Sequence, residues 1–233
     1  MRARPFLSAC AVLALGLAGA MLGGCGGSSS GNGIAAKTPN EIVAASKAAA
    51  DAATSAHVSG SIVSGGSPVT LDMQLAANGG RGQLALSGLG FELIQLGGTV
   101  YIKGSSAFYR HVGGAAAAQL LQGRWLKAST TTPEFASLSS LTNLHRLIDA
   151  ALASHGTLKK TATTTVKGKE VVGLTDQSQG GTLYVATTGK PYPVEIAKSG
   201  AGGGTLSFDR WNQAVSIAPP ANAIDLAQLR AGH

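Results

Sequence analysis

Charge is scarce in this sequence: Asp, Glu, Lys and Arg make up 12% of its 233 residues, about half of the roughly 25% found in an ordinary soluble domain. Aromatic residues make up only 5%, and Cys10 and Cys25 are the only two cysteines. Each shortage excludes something. Both cysteines lie in the first 25 residues, so nothing downstream can build a disulfide framework or a Cys-rich zinc site. Few charges set against 44% hydrophobic residues exclude a disordered chain, because a sequence this apolar can bury enough surface to offset the entropy of ordering it. The shortage of rings leaves the packing to Leu, Val, Ile and Ala. Met73 is the only methionine beyond the N-terminal region, which excludes an adaptable Met-rich surface. Two things are abundant instead: glycine, with 33 residues, and basic charge, with a formal net charge of +7. The length allows one ordinary domain or at most two small ones.

Residues Met1 to Gly24 begin with Arg2 and Arg4 and continue as the uncharged run Phe6 to Gly24, the charged-then-apolar order of a secretory signal. The run is also long enough to read as a transmembrane helix, but its end argues otherwise. Leu22-Gly23-Gly24-Cys25 resembles the lipobox of bacterial lipoproteins. Small side chains before the cysteine pass the active site of a membrane-buried peptidase, and the thiol carries the diacylglyceryl group. Cleavage leaves Cys25 as the lipidated first residue and anchors the chain to the outer side of the cell membrane. Nucleic acid is then excluded by compartment. Loss of Arg2 and Arg4 leaves 16 basic and 11 acidic residues, a balance of +5. The expected organisation is a signal peptide over residues 1–24, lipidated Cys25 with a flexible Gly/Ser tether over 25–37, and one domain over 38–233. Gly27-Ser28-Ser29-Ser30-Gly31 matches the nucleophile-elbow pattern, but a polar tether lacks the strand-to-helix turn that strains such a serine.

Thr38-Pro39-Asn40-Glu41 has capping-box spacing with proline at the first helical position, and predicts a helix to about Ala56. From His57 the period becomes two. Val69, Leu71, Met73 and Leu75 alternate with polar or small neighbours, and the pairs Gly65-Gly66, Gly79-Gly80 and Gly97-Gly98 separate further short apolar runs. This is a meander of antiparallel strands. Ala115 to Gln122 predicts a short helix and Arg124 to Lys127 a short strand. Leu138, Leu141, Leu144, Leu147, Ile148 and Leu152 then recur at helical spacing as one amphipathic helix that ends near His155-Gly156. Strands resume over about 157–166, 170–174, 183–187, 194–198 and 205–209. The fold class is α+β: a curved antiparallel sheet of about eleven strands with helices over its concave face, and no βαβ alternation to suggest a parallel sheet.

An antiparallel sheet of that size curls or splits, and covering it with small aliphatic side chains either leaves a cavity or closes the gap completely. The order of Phe91-Glu92-Leu93-Ile94, Val100-Tyr101-Ile102-Lys103, Trp125-Leu126-Lys127, Gly181-Thr182-Leu183-Tyr184-Val185 and Gly189-Lys190-Pro191-Tyr192-Pro193 resembles actinobacterial lipoproteins of the LppX/LprG type. The likeness covers roughly residues 38 to 230. It implies a LolA-like half-open barrel around an apolar cavity, a role in binding acylated lipids or lipoglycans and assisting their transport, an envelope transporter as a further partner, and no cofactor.

The candidate lining residues are Leu71, Met73, Leu84 and Leu86 from strands, with Leu144, Leu147, Ile148 and Leu152 from the central helix. Catalysis has little to stand on. None of His57, His111, His145, His155 and His233 pairs with another at metal-ligand spacing, no metal site is expected, and the acids are scattered singly. Lys159, Lys160, Lys167 and Lys169 form the densest basic cluster, either a site for anionic headgroups or a solvated strand face. A lipid-anchored sensor or scaffold that binds a protein or envelope partner with the same fold is the alternative to a carrier.

Overall fold

The computed structural model describes residues 31–231, except 65, 133–134, 136–137, 153–154 and 201–202. The signal segment, the lipobox, Cys25, Ser154 and His233 lie outside the described residues. In chain order the elements are a 3-10 turn (Ile34–Ala36), α1 (Pro39–Asp51), β1 (Ser55–Ser64), β2 (Ser67–Ala76), β3 (Gly79–Leu86), β4 (Leu89–Leu96), β5 (Thr99–Gly104), α2 (Ser106–Leu121), β6 (Leu126–Ser129), α3 (Leu138–Leu141), α4 (Leu144–Leu152), β7 (Leu158–Val166), β8 (Lys169–Asp176), β9 (Thr182–Ala186), β10 (Pro193–Lys198), β11 (Gly204–Asp209), β12 (Ile224–Asp225) and α5 (Leu226–Ala231).

The strands form one open sheet in the order β12-β6-β5-β4-β3-β2-β1-β11-β10-β9-β8-β7. Each block is a meander, as the paired glycines predict, and the first strand of one pairs with the last strand of the other. His57 lies opposite Asp209 and Val58 opposite Phe208. Alternation decides which face is buried. On β2, Val69, Leu71, Met73 and Leu75 are buried while Thr70 and Asp72 are exposed. Gly82 of β3 stands opposite Met73, where a Cβ would overlap the Asp72 carbonyl and the Met73 side chain, so only glycine lets this large residue lie across the inner face.

Helices α1, α3 and α4 cover that face. The main core joins Ala50 and Ala53 at the end of α1, Leu144, Leu147 and Ile148 of α4, and the inward residues of β1 to β5 and β11. A second cluster holds Ile34 and Ile42 against Val172, Leu174, Leu183 and Val185. The α1 capping residues act as the sequence predicts: Glu41 accepts from the Thr38 backbone N–H at 2.9 Å and from the Thr38 hydroxyl at 2.6 Å. Residues 31–37, read in the sequence as tether, are held by the domain. Asn32 donates to the Ala186 and Gly189 carbonyls, Ile34 is buried, and the Lys160 ammonium donates to the Ala35 and Lys37 carbonyls.

The helix expected to reach about Ala56 ends at Asp51, and Ser55 and Ala56 already belong to β1; three further features depart from the sequence reading. The single helix expected over Leu138 to Leu152 is two, because Thr142 donates back to the Leu138 carbonyl and to Gln95, and Asn143 accepts from the Arg146 N–H to start a new helix. The helix expected from Ala115 starts at Ser106, capped by the Ser105 hydroxyl, and contains a break at Gly114. Eleven antiparallel strands are joined by a twelfth, the two-residue β12, which runs parallel to β6 and is too short to leave a periodic signature.

Candidate functional site

Between α2 and one wing of the sheet lies a cavity of about 590 Å³. Strand register sets its floor. Val100 pairs with Ala128 and Ile102 with Leu126, so these four side chains share the inner face of β5 and β6, and Phe91 of β4 continues it. Helix α2 forms the roof through Phe108, Tyr109, Val112, Gly113, Ala117 and Leu121, while Leu86, Phe135, Leu138 and Leu226 close the sides. The aromatic rings interlock: Phe91 and Phe108 lie 5.0 Å apart, and Phe108 meets Tyr109 edge-on at 5.6 Å.

Among the described residues, no lining side chain carries a charge. The only side-chain hydroxyl among the described wall residues, that of Tyr109, is engaged: it accepts from the Gly104 N–H at 2.9 Å and donates to the Arg124 carbonyl at 3.2 Å. Burial pushes its phenol above the ordinary value, so it stays protonated through the neutral range. The wall therefore offers contact area and no polar anchor, which suits hydrocarbon and nothing hydrophilic.

The sequence-predicted lining residues divide. Leu86 lies on the wall of this cavity. Leu152 lines a second cavity of about 200 Å³ with Val43, Leu158 and Leu174. Leu71, Met73, Leu84, Leu144, Leu147 and Ile148 lie together in the packed core, and Leu71 and Leu84 also border an open groove beside Gln83 and Lys103. Sequence reasoning missed the rest of the wall, both aliphatic residues such as Val100, Ile102, Leu121 and Leu126 and the aromatic Phe91, Phe108, Tyr109 and Phe135. The signal of the aromatic residues was positional, since Phe91, Tyr101, Phe108, Tyr109, Trp125 and Phe135 crowd one stretch of a ring-poor chain.

The polar groups lie elsewhere. His57, on the outer face of β1, has Asp209 2.6 Å from Nδ1 and Asp72 3.0 Å from Nε2, so both ring nitrogens are engaged by carboxylates. Among the described residues no cluster of three His, Cys, Asp or Glu side chains is arranged to hold a metal, and no helix is long and apolar enough to cross a membrane. In the lysine cluster, Lys160 is committed to the backbone of residues 35 and 37.

No protein-family model and no curated protein sequence matches the chain. Solved structures do. LprF from Mycobacterium bovis superposes with a TM-score of 0.55 at 14% identity, covering 79% of this chain and 97% of LprF. Lipoprotein LppX from Mycobacterium tuberculosis superposes with a TM-score of 0.52 at 17% identity, covering 78% of this chain and 100% of LppX. With its open, mostly antiparallel sheet covered by helices, the chain has the LolA-like α+β fold of the LppX/LprG-type lipoproteins.

Proposed function

We propose that the protein is a cell-envelope lipoprotein, anchored to the outer side of the membrane through Cys25, that takes up an acyl chain of an amphipathic lipid or lipoglycan and assists its transport. The observation that carries this reading is the uncharged cavity of about 590 Å³ under α2. Size narrows the cargo. A water molecule occupies about 30 Å³ of liquid, and a methylene group is of similar size, so the cavity holds roughly twenty such groups. That is one long alkyl chain. Each methylene taken from water contributes about 0.8 kcal/mol, so a chain binds strongly with no polar contact while its headgroup stays wet at the rim.

The anchor is short. Cys25 precedes Gly31 by six residues (31 − 25), and Asn32 is already bonded to the domain, so the free span reaches at most about 20 Å. A domain held that near the bilayer meets its cargo at the membrane surface. The fold shared with LppX, itself a lipoprotein, supports the reading.

Native mass spectrometry of the purified full chain tests it, because covalent lipid on Cys25 survives denaturation and bound cargo does not. The expected difference between native and denatured masses is one single-chain amphiphile, or one lipid with one chain buried, per protein. Equal masses in every preparation would reject the carrier reading and favour a lipid-anchored protein that binds a protein or envelope partner.

A further inference from the structure

Helix α2 is an unusual roof. Residues 110 to 116, Arg-His-Val-Gly-Gly-Ala-Ala, are exposed without interruption, although they sit in the middle of a helix whose two ends bury Tyr109, Ala118 and Leu121. Val112 is 61% exposed and Leu120 54%, the most exposed large hydrophobic side chains among the described residues. Gly114, with φ 76° and ψ −172°, breaks the helix between them. Nothing lies within 4 Å of where a Cβ would stand on Gly114, so the elbow projects into solvent.

Along the sequence on either side of the elbow the charges are basic. From Glu92 to Glu134 the sequence holds Lys103, Arg110, Arg124 and Lys127 and no acid between them. Lys103 is paired with Glu92 and Lys127 with Asp225. Arg110 and Arg124, one on each side of the elbow, are exposed and form no ion pair among the described residues.

We propose that α2 docks on an anionic phospholipid bilayer, with Val112 and Leu120 entering the headgroup layer and Arg110 and Arg124 meeting lipid phosphates. Exposed apolar side chains on a helix with a basic flank are the composition of an interfacial membrane element. A protein partner would need acidic or hydrogen-bonding complements, and the elbow offers few polar groups beyond its cations. Val112 and Gly113 also line the cavity, so docking brings the cavity wall itself to the bilayer. The inference concerns the outer surface of α2 and holds whatever the cavity contains.

The test uses the full chain with Cys10→Ser and Cys25→Ser, so that one introduced cysteine carries a polarity-sensitive fluorophore. Val112→Cys and Leu120→Cys report on the elbow, and Thr164→Cys on exposed β7 is the control. Each protein is reconstituted with mixed phosphatidylglycerol and phosphatidylcholine vesicles that contain a nitroxide-labelled lipid. Every variant carries the same N-terminal segment and the same Cys25→Ser change, so a difference between label positions is local. Expected is quenching several-fold stronger at 112 and 120 than at 164, with the excess lost in an Arg110→Glu, Arg124→Glu background and on phosphatidylcholine alone. Equal quenching at 112 and 164 would overturn the proposal. So would quenching that ignores both charge changes, or a label at 112 shielded from water but unquenched by lipid, which would point to a protein contact.

Discussion

Tyr109 closes a wall without making it polar. Its hydroxyl links three backbone segments, the end of β5, α2 and the approach to β6, through the Gly104 N–H and the Arg124 carbonyl. Tyr109→Phe keeps the ring and strands both partners, so it should lower stability by about 1–3 kcal/mol, read as a lower denaturant midpoint with an unchanged slope. Asp176 plays a comparable part at the smaller cavity. It accepts from the N–H groups of Gln179, Gly156 and Ser178, and these bonds hold its carboxyl below the ordinary carboxylate range. A depressed native value means that its contribution is fully present above the unfolded value of about 3.9 and is lost as pH falls through the lower native one. Urea unfolding should therefore show Asp176→Asn less stable than wild type at neutral pH, with the gap narrowing below about pH 4.

At the scale of elements, Gly114 decides the shape of α2. Its φ and ψ lie in a region that only glycine enters without strain, so Gly114→Ala should cost about 1–3 kcal/mol despite the empty space around it. A thermal melt that leaves the variant as stable as wild type would contradict the break. The two glycines were visible in the sequence, yet the alanine run after them drew the helix start to Ala115, because propensity locates the best helix formers and not the cap. Ser105 was the missed signal. The same limit joined α3 to α4: the leucine spacing runs through Thr142 and Asn143, and only the side-chain bonds of those two residues break it. Where cap and period agreed, as at Thr38 to Glu41, the element was legible. Helix α1 is further held to α4 by Lys47, which lies 2.6 Å from Asp149 and 2.7 Å from Asp51, and both carboxylates raise its pKa. These groups are exposed, so Lys47→Ala should leave the urea-unfolding midpoint almost unchanged.

For the whole molecule, period-two patterns and paired glycines were enough to set the strand order within each meander, since neighbours in a meander are neighbours in sequence. The pairing of β1 with β11 joins residues far apart in the sequence, such as His57 and Asp209, and has no local signature. The cavity was least legible for a related reason. Alternation shows which face of a strand is buried, as at Leu71, Met73 and Leu84, but not where facing layers fail to meet. That gap depends on how far α2 stands from β5 and β6, which the Gly114 break and the Phe91, Phe108 and Tyr109 cluster set together.

Ala128 offers the most direct test of a cavity that holds hydrocarbon, because register puts its side chain on the cavity floor opposite Val100 and away from the exposed face of α2. Ala128→Leu should fill the space of about three methylenes at about 0.8 kcal/mol each, weakening binding of a long-chain fatty acid roughly fiftyfold. Isothermal titration of wild type and variant with the same fatty acid measures this, with thermal melts confirming that both are folded. The expected result is saturable binding of one chain by wild type and the fiftyfold loss in a variant that melts no lower. Equal affinity in the two proteins, or no binding to either, would contradict the cavity as the site of function.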